Sequence, residues 1–155
     1  MQDFVHLHVH TQYSLLDGQA SVSRLVDKAM KDGMKGIAVT DHGNMFGIKE
    51  FTNYVNKKNS GPKGEIKDLK KRIAGIESGE IECEDKEAEI ADCRAKMAEA
   101  ESKLFKPIVG CEMYVARRTM DKKEGKPDQS GYHLIVLAKN EKGYHNLIKL
   151  VSHAW

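Results

Sequence analysis

The chain has 155 residues, of which 40% are hydrophobic and 31% charged, and its formal net charge at pH 7 is +2. This length is enough for one domain with its own core, and no apolar run is long enough to span a bilayer. So small a net charge does not by itself indicate nucleic-acid binding. The three cysteines (Cys83, Cys93 and Cys111) show neither a CxxC pair nor the spacing of a small secreted scaffold. We therefore expect free thiols, a cytoplasmic location and no membrane partner.

Residues 4–11 alternate histidine with aliphatic residues, which is the pattern of a β-strand. In such a strand His6, His8 and His10 share one face. Neutral imidazole is the commonest metal ligand, and two imidazoles at i and i+2 can reach one ion or two adjacent ions. We predict that His8 and His10 bind metal. The alternative is a solvated strand face or hydrogen-bonded core histidines, and for His6 alone that alternative is favoured.

A turn and a helix follow the histidine segment. Asp17 precedes Gly18 in a typical turn pair, so Asp17 is either a carboxylate ligand or a turn residue, and spacing does not decide between them. Ser21 is predicted to cap a helix that Gly33 ends. The apolar stripe of this helix comprises Val22, Leu25, Val26 and Ala29.

Residues 35–43 are predicted to form a strand buried on both faces, since Ile37-Ala38-Val39 is a continuous apolar run. The run ends in Thr-Asp-His-Gly, and α/β folds place their chemistry at the C-terminal ends of such strands. His42 is therefore a further predicted metal ligand. Asp41 is either a partner that orients a histidine or a carboxylate that caps the loop.

A second helix is expected from Phe46 to about Lys58, with residues 59–62 breaking it. Residues 63–104 then form two highly charged segments, each with a narrow apolar seam that predicts a projecting helical hairpin. The seam comprises Ile66, Leu69, Ile73, Ile76, Ile90, Cys93, Met97, Ala100 and Leu104. A tolerated insertion is the favoured interpretation, and a partner-docking arm is the alternative.

Two more strands and a helix complete the pattern. Glu112 lies inside the apolar strand 106–115, where a lone carboxylate is costly unless it is paired or metal-bound, and we favour a ligand over a structural salt bridge. After a loop at 117–131, His133 enters a strand at 132–138 and is a weaker candidate ligand because it stands alone. The last helix has Leu147, Ile148, Leu150 and Val151 on its apolar face, with His145 and His153 as surface or packing residues. Neither Ser14 nor Cys111 has an evident activating partner, so no side-chain nucleophile is expected.

The predicted class is α/β, with connections long enough to imply parallel strands. The six candidate ligands fall at strand ends or in the loops just after them. They are His8, His10, Asp17, His42, Glu112 and His133.

Four stretches of the sequence, in this order, resemble one known family. They are HVHTQYSLLDG, VTDHGNMFG, KPIVGCEMYV and HLIVLAKNEKGYHNLIKLVSHAW. Together they resemble the N-terminal PHP (polymerase and histidinol phosphatase) domain of the alpha subunit of bacterial DNA polymerase III, a family C replicative polymerase. The likeness covers residues 3–56 and 105–155, and residues 63–104 look like an insertion within the domain.

The resemblance implies a distorted seven-stranded β/α barrel, of which residues 1–155 would be the N-terminal part, with metals at the C-terminal ends of its strands. It also implies that the same six residues are ligands. Clustered histidine nitrogen with carboxylate oxygen suits zinc, or else manganese or iron, better than calcium or magnesium. The parent would be a DNA-directed DNA polymerase (a nucleotidyltransferase) that meets DNA and other replicase subunits. Its PHP domain would be a phosphoesterase-like module with a possible 3′→5′ exonuclease role. A partial barrel leaves sheet edges unpaired, so self-association of this chain is also expected.

Two rival functions remain at this point. One is a stand-alone PHP phosphatase that acts on a small substrate such as histidinol phosphate. The other is a non-catalytic platform on which the polymerase body and its partners pack. The motifs TDHGNMFG and LAKNEKGYHNL resemble those of the polymerase rather than those of the phosphatase, which argues against the phosphatase.

Overall fold

The computed structural model describes residues 4–154, with Pro127 described by its backbone alone. These residues divide into two compact units, and each is considered by itself. The first, called the site unit, comprises residues 4–54 and 106–154; the second, called the hairpin unit, is Val55–Phe105. The described helices are α1 (Val22–Lys31), α2 (Ile48–Lys58), α3 (Ser60–Ser78), α4 (Lys86–Ser102) and α5 (Glu141–Ala154), and the strands are β1 (Gly36–Val39), β2 (Lys106–Val115) and β3 (Tyr132–Leu137).

The sheet of the site unit has the order β1-β2-β3. β1 runs parallel to the first half of β2, with Gly36 opposite Lys106 and Val39 opposite Val109. β3 runs antiparallel to the second half of β2, which corrects the expectation of parallel strands throughout. The physical reason lies in residues 116–131, which contain one 3₁₀ turn (Lys126–Asp128) and no crossover helix, so the chain returns as a long hairpin.

The predicted strand at residues 4–11 is the second correction, because the described part of this segment is irregular. Ala38 N–H donates to the His6 carbonyl and Thr40 N–H to the Val9 carbonyl, both at 2.9 Å. A step of three residues thus lies opposite a step of two on β1, as in a β-bulge. The extra residue interrupts the alternation, so His6 is separated from His8 and His10. His6 lines a cavity with Leu25 of α1 instead.

Two apolar clusters hold the site unit together. Val22, Val26 and Ala29 of α1 are buried as predicted, and β1 is buried along its whole length. In a second cluster, Cys111 of β2 packs with Leu147 and Val151 of α5. Ile148 and Leu150, which were expected on the same apolar face, are 37% and 53% exposed. The apolar stripe of α5 is therefore narrower than the sequence suggests.

The hairpin unit begins earlier than predicted. α2 ends at Lys58 and α3 begins at Ser60, so the expected four-residue break is a single turn residue, Asn59. Pro62 is tolerated because it lies in the first turn of α3, where backbone N–H groups have no intrahelical acceptor. Asn59 also closes the base of the hairpin. Its side chain donates to the Phe105 carbonyl at 2.8 Å and accepts from Phe105 N–H at 2.9 Å.

The two helices of the hairpin pack through the predicted seam, with Ile76, Cys93 and Ala100 fully buried. Gly79 ends α3 in the left-handed conformation (φ 82°), where other residues are strained. Asp85 caps α4 by accepting from Ala88 N–H at 3.0 Å.

The mixed α/β class is confirmed for the described residues, which form a three-stranded sheet with five α-helices; the barrel stays a prediction. Among residues 4–154, no helix has both the length and the apolarity that a membrane crossing requires.

Candidate metal centre

Glu112 lies at the middle of the site, near the C-terminal end of β2, and its side chain is only 3% exposed. Past the end of β1 the chain continues alongside β2, so that His42 lies opposite Glu112. Two backbone hydrogen bonds fix this pairing, from Glu112 N–H to the Asp41 carbonyl (3.1 Å) and from Gly43 N–H to the Glu112 carbonyl (2.9 Å). A carboxylate buried to this extent requires partners of opposite charge or hydrogen-bond donors.

Four imidazoles surround this carboxylate, two on each oxygen. Oε2 is 2.5 Å from His8 Nε2 and 2.8 Å from His10 Nε2. Oε1 is 2.7 Å from His133 Nδ1 and 3.1 Å from His42 Nδ1. Glu112 therefore stands between two histidine pairs, each of which faces a different carboxylate oxygen.

Asp17 joins the same cluster. Its Oδ2 is 3.2 Å from His42 Nδ1 and 3.8 Å from His10 Nδ1, and its backbone N–H donates to the Ser14 carbonyl within the turn. Asp17 is thus both a turn residue and a member of the cluster. The structure brings together all six residues singled out in the sequence, while their role as ligands stays a prediction.

Opposing influences act on the pKa of Glu112. Burial raises it, whereas hydrogen bonds from His10 and His8 and the nearby histidine charges lower it, and the net pKa is below the usual glutamate value. The group is therefore a carboxylate at neutral pH. Imidazole nitrogen combined with carboxylate oxygen suits zinc, manganese or iron better than calcium or magnesium.

The donor atoms are grouped closely enough to serve as metal ligands. Two triads, His8–His10–Glu112 and His42–Glu112–His133, each have ligand atoms within 4.8 Å of one another. The Nε2 atoms of His8 and His10 are 3.1 Å apart. Two imidazole nitrogens on one tetrahedral zinc ion would be separated by about 3.3 Å. The residues present could accordingly hold two ions that share Glu112.

Asp41 holds the loop that carries part of this cluster. Fully buried, its carboxylate accepts from Thr11 N–H (2.6 Å), Thr11 Oγ1 (2.8 Å) and Ser14 Oγ (2.8 Å). Ser14 Oγ in turn accepts from His42 N–H at 3.0 Å. Of the two roles considered for Asp41, these contacts are those of a loop-capping carboxylate. The hydrogen bonds found for this carboxylate go to Thr11 and Ser14, and its role in orienting a histidine stays a prediction.

Tyr114 is the site residue that the sequence reasoning missed. Its hydroxyl contacts His42 Nε2, and its ring lies edge-on to His133 with centroids 4.7 Å apart. A signal for it existed, since Tyr114 follows Glu112 by two residues on β2 and side chains two apart share a face of a strand. His133 lies directly opposite Tyr114 in the antiparallel pairing, on that same face.

The remaining candidates lie away from the cluster or are inert. His145 is exposed on α5 and lies 4.0 Å from Glu141 of its own helix, and His153 is exposed near the end of α5. Burial raises the pKa of the Cys111 thiol to about 11, so a thiolate nucleophile is disfavoured there.

Comparison with known proteins identifies the family. A family model described as the PHP domain matches residues 6–155. The chain is 39% identical over 150 residues to DNA polymerase III subunit alpha of Borreliella burgdorferi, covering 96% of this chain and 9% of the relative. The same named protein of Treponema pallidum is 39% identical over 153 residues, covering 98% and 9%. That of Aquifex aeolicus is 32% identical over 160 residues, covering 99% and 10%. The chain thus spans about a tenth of the length of these relatives, and it belongs to the PHP domain family.

Proposed function

We propose that this chain is part of the PHP domain of a bacterial replicative DNA polymerase and that it binds two divalent metal ions, with zinc the first choice and manganese or iron the alternatives. The printed names of the relatives support the polymerase part, and the family match supports the domain. On this proposal the parent protein is a nucleotidyltransferase that acts on DNA with other replicase subunits in the cytoplasm. Residues 1–155 form the N-terminal part of its PHP domain, and the hairpin at 63–104 is an insertion within it.

One observation carries the metal proposal: a carboxylate that is 3% exposed presents each of its two oxygens to a separate pair of imidazoles. Four histidines around one carboxylate exceed what a structural ion pair requires. A salt bridge to a single carboxylate needs only one cation. A shared ligand between two cations accounts for all four contacts.

Each residue of the cluster has a proposed role in binding the two ions. His8 and His10 would hold one ion, His42 and His133 the other, and Glu112 would bridge them, with Asp17 beside His42. Bound divalent ions of this kind activate water and stabilise charge on a phosphate ester. The Tyr114 hydroxyl contacts Nε2 of His42, whereas Glu112 lies beside Nδ1 of the same ring. Tyr114 would therefore favour the orientation of the His42 ring in which Nδ1 faces the Glu112 carboxylate. Asp41 keeps Thr11 and Ser14 in place and thereby the loop from His10 to Asp17.

The reaction best supported is hydrolysis of a phosphodiester at the 3′ end of DNA. A polymerase would use it to remove a nucleotide that it has just added. The stand-alone phosphatase is disfavoured because the relatives over which nearly all of this chain aligns are named as polymerase subunits.

Exposed apolar surface also supports the proposal that this chain self-associates when produced alone. β3 is the outer strand of the described sheet, and its Tyr132 and Leu134 are 58% and 52% exposed. Light scattering of the 155-residue chain should show species larger than a monomer. A monomer at all concentrations would contradict this part of the proposal.

Elemental analysis tests the metal proposal. The 155-residue chain, and a longer version extended to the end of the matched domain in the parent gene, should each be reconstituted and dialysed. A His8→Ala/His10→Ala variant should lose metal, whereas His145→Ala/His153→Ala removes two exposed histidines of α5 and should keep it. Equal metal content in both variants, or none in any protein, would contradict the proposal.

Hydrolysis is tested separately with a single-stranded oligonucleotide labelled at its 5′ end. The metal-loaded domain should shorten it from the 3′ end, and Glu112→Gln should abolish the reaction. Metal binding without any cleavage would instead support the non-catalytic platform.

A further inference from the structure

The hairpin unit carries a lysine stripe that the proposed function does not use. It consists of Lys63, Lys67, Lys70 and Lys71, all exposed on α3. At 100° per residue, these four positions fall within an arc of about 100° of the helix. Ala74 lies in the same arc, and the four lysines, Ala74 and Ile66 line one shallow groove. Glu65 and Asp68 fall outside this arc, although Lys71, at its edge, also lines a neighbouring groove with both of them.

The four lysines of the stripe are not paired with acidic side chains in the described part of the chain. Among the described residues, no carboxylate lies within 4.0 Å of these four ammonium groups, and the polar partner found for Lys63 is the neutral side chain of Asn56. Several other cations of the hairpin unit are paired with carboxylates. Lys96 lies 2.6 Å from Asp92 and Lys103 lies 2.7 Å from Glu99. Arg72, on α3 itself, lies 2.5 Å from Glu89 of α4.

Acidic residues collect at the opposite end of the hairpin. The connection between α3 and α4 and the first turn of α4 contain Glu80, Glu82, Glu84, Asp85 and Glu87. A polyanion is therefore repelled from the tip of the hairpin and attracted to the first half of α3. Because of this polarity, an extended anion would bind in one place rather than along the whole hairpin.

We propose that the lysine stripe of α3 binds the phosphate backbone of duplex DNA without reading its sequence. Lys63 to Lys71 span about 12 Å along the helix axis, and one strand of a duplex rises about 3.4 Å per phosphate along the duplex axis. A length of duplex equal to the stripe therefore presents several phosphates to the four lysines. Residues 60–78 contain no aromatic side chain on which an unpaired base could stack, which favours a duplex over a single strand. This inference goes beyond the proposed function and does not depend on the metal cluster.

The test is binding of a labelled DNA duplex to the 155-residue chain, measured by fluorescence anisotropy over a series of salt concentrations with chelator present. The variant K67Q/K70Q/K71Q removes three charges from the stripe. The control K86Q/K96Q/K103Q removes three charges from lysines of α4 and its C-terminal end. Glutamine is a good helix former, so both variants should retain the helical circular dichroism of the parent.

The stripe variant should lose roughly tenfold or more in affinity at low salt. The slope of log Kd against log salt should fall by about 2.7 if each lysine neutralises one phosphate, and the control should change neither quantity appreciably. Equal losses in both variants would show that only net charge matters and would overturn the proposal. So would tighter binding of a labelled single strand or of a poly-glutamate peptide, or no duplex binding by the unmodified chain.

Discussion

The site unit and the hairpin unit arrange their ionisable groups in opposite ways. In the site unit, four imidazoles and the carboxylate of Asp17 lie around Glu112, which is almost fully buried. In the hairpin unit, charges lie along exposed helix faces, and several pair within one helix, as Lys103 does with Glu99 four residues earlier. The two helices pack through an apolar seam in which Ile76, Cys93 and Ala100 are buried.

The difference shows which charges require a functional explanation. Exposed pairs four residues apart arise from helix geometry and contribute little to stability. A buried carboxylate among four histidines brings together segments separated by up to 104 residues and costs desolvation energy. A bound metal would offset this cost, so we expect metal chemistry in the site unit, whereas the hairpin is held by its apolar seam.

Replacement of Glu112 should have the largest effect. Glu112→Gln preserves size but removes the carboxylate that both histidine pairs contact, so bound metal should fall to background. Glu141→Gln, on the exposed surface of α5, is the matched control and should leave metal content unchanged. Elemental analysis after dialysis measures the metal content of both variants. A Glu112→Gln protein that keeps its metal would contradict the role given to the buried carboxylate of the site unit.

Ile76 should be the most sensitive position of the hairpin unit. Its side chain is fully buried in the seam, and truncation to alanine should cost about 2–5 kcal/mol of the free energy of unfolding of the hairpin. Glu99→Gln breaks the exposed pair with Lys103 and should leave the melting curve unchanged. Thermal denaturation followed by circular dichroism compares the two variants. A larger loss of stability from Glu99→Gln than from Ile76→Ala would show that surface charge, and not the seam, stabilises the hairpin.

Asp41 should matter for the stability of the site unit. An Asp41→Asn change keeps one acceptor oxygen but turns the other into a donor facing Thr11 and Ser14. We expect a loss of about 2–4 kcal/mol in the free energy of unfolding, since hydrogen bonds to a buried charge are removed. Chemical denaturation measures it, with Asp121→Asn in the exposed loop as the control. An unchanged midpoint for Asp41→Asn would mean that the loop is held by other contacts.

Tyr114 should have a smaller effect that is confined to the metal. Tyr114→Phe removes the hydroxyl at His42 Nε2 and should weaken metal affinity by roughly 10- to 100-fold while leaving stability without metal unchanged. Tyr132→Phe removes an exposed hydroxyl from β3 and serves as the control. Isothermal titration with zinc compares the two, and equal affinities would leave Tyr114 without a role in positioning His42.

Removal of the hairpin should have the smallest effect. The chain enters and leaves the hairpin at neighbouring points, because the Asn59 side chain bonds to the Phe105 backbone. Replacement of residues 60–104 by a short glycine-serine linker should therefore leave metal content unchanged. Loss of metal in the shortened protein would show that the two units depend on each other.

Much of this arrangement could be predicted where local pattern and burial agree. β2 has the predicted bounds, Lys106–Val115, because an apolar run follows Pro107 and ends in the polar loop after Val115. The seam positions Ile76 and Cys93 follow helical spacing, which the packing of two helices preserves. Glu112 stood out since a carboxylate within such a strand demands a partner.

The other features of the fold and site depend on contacts between distant residues, which a local sequence pattern does not reveal. The bulge opposite β1 separates His6 from His8 although the alternation in the sequence is unbroken. The parallel direction predicted for β3 was wrong, because a loop of this length allows either an antiparallel return or a parallel crossover. Asp41 and Ser14 are joined only once the fold brings residues 27 positions apart into contact.

Anomalous X-ray diffraction at the zinc absorption edge, from crystals of the domain grown with zinc, tests the central claim most directly. Two peaks should flank Glu112, one at coordination distance from His8 and His10 and the other from His42 and His133. A zinc-loaded protein whose anomalous peaks all lie away from Glu112 would contradict the account.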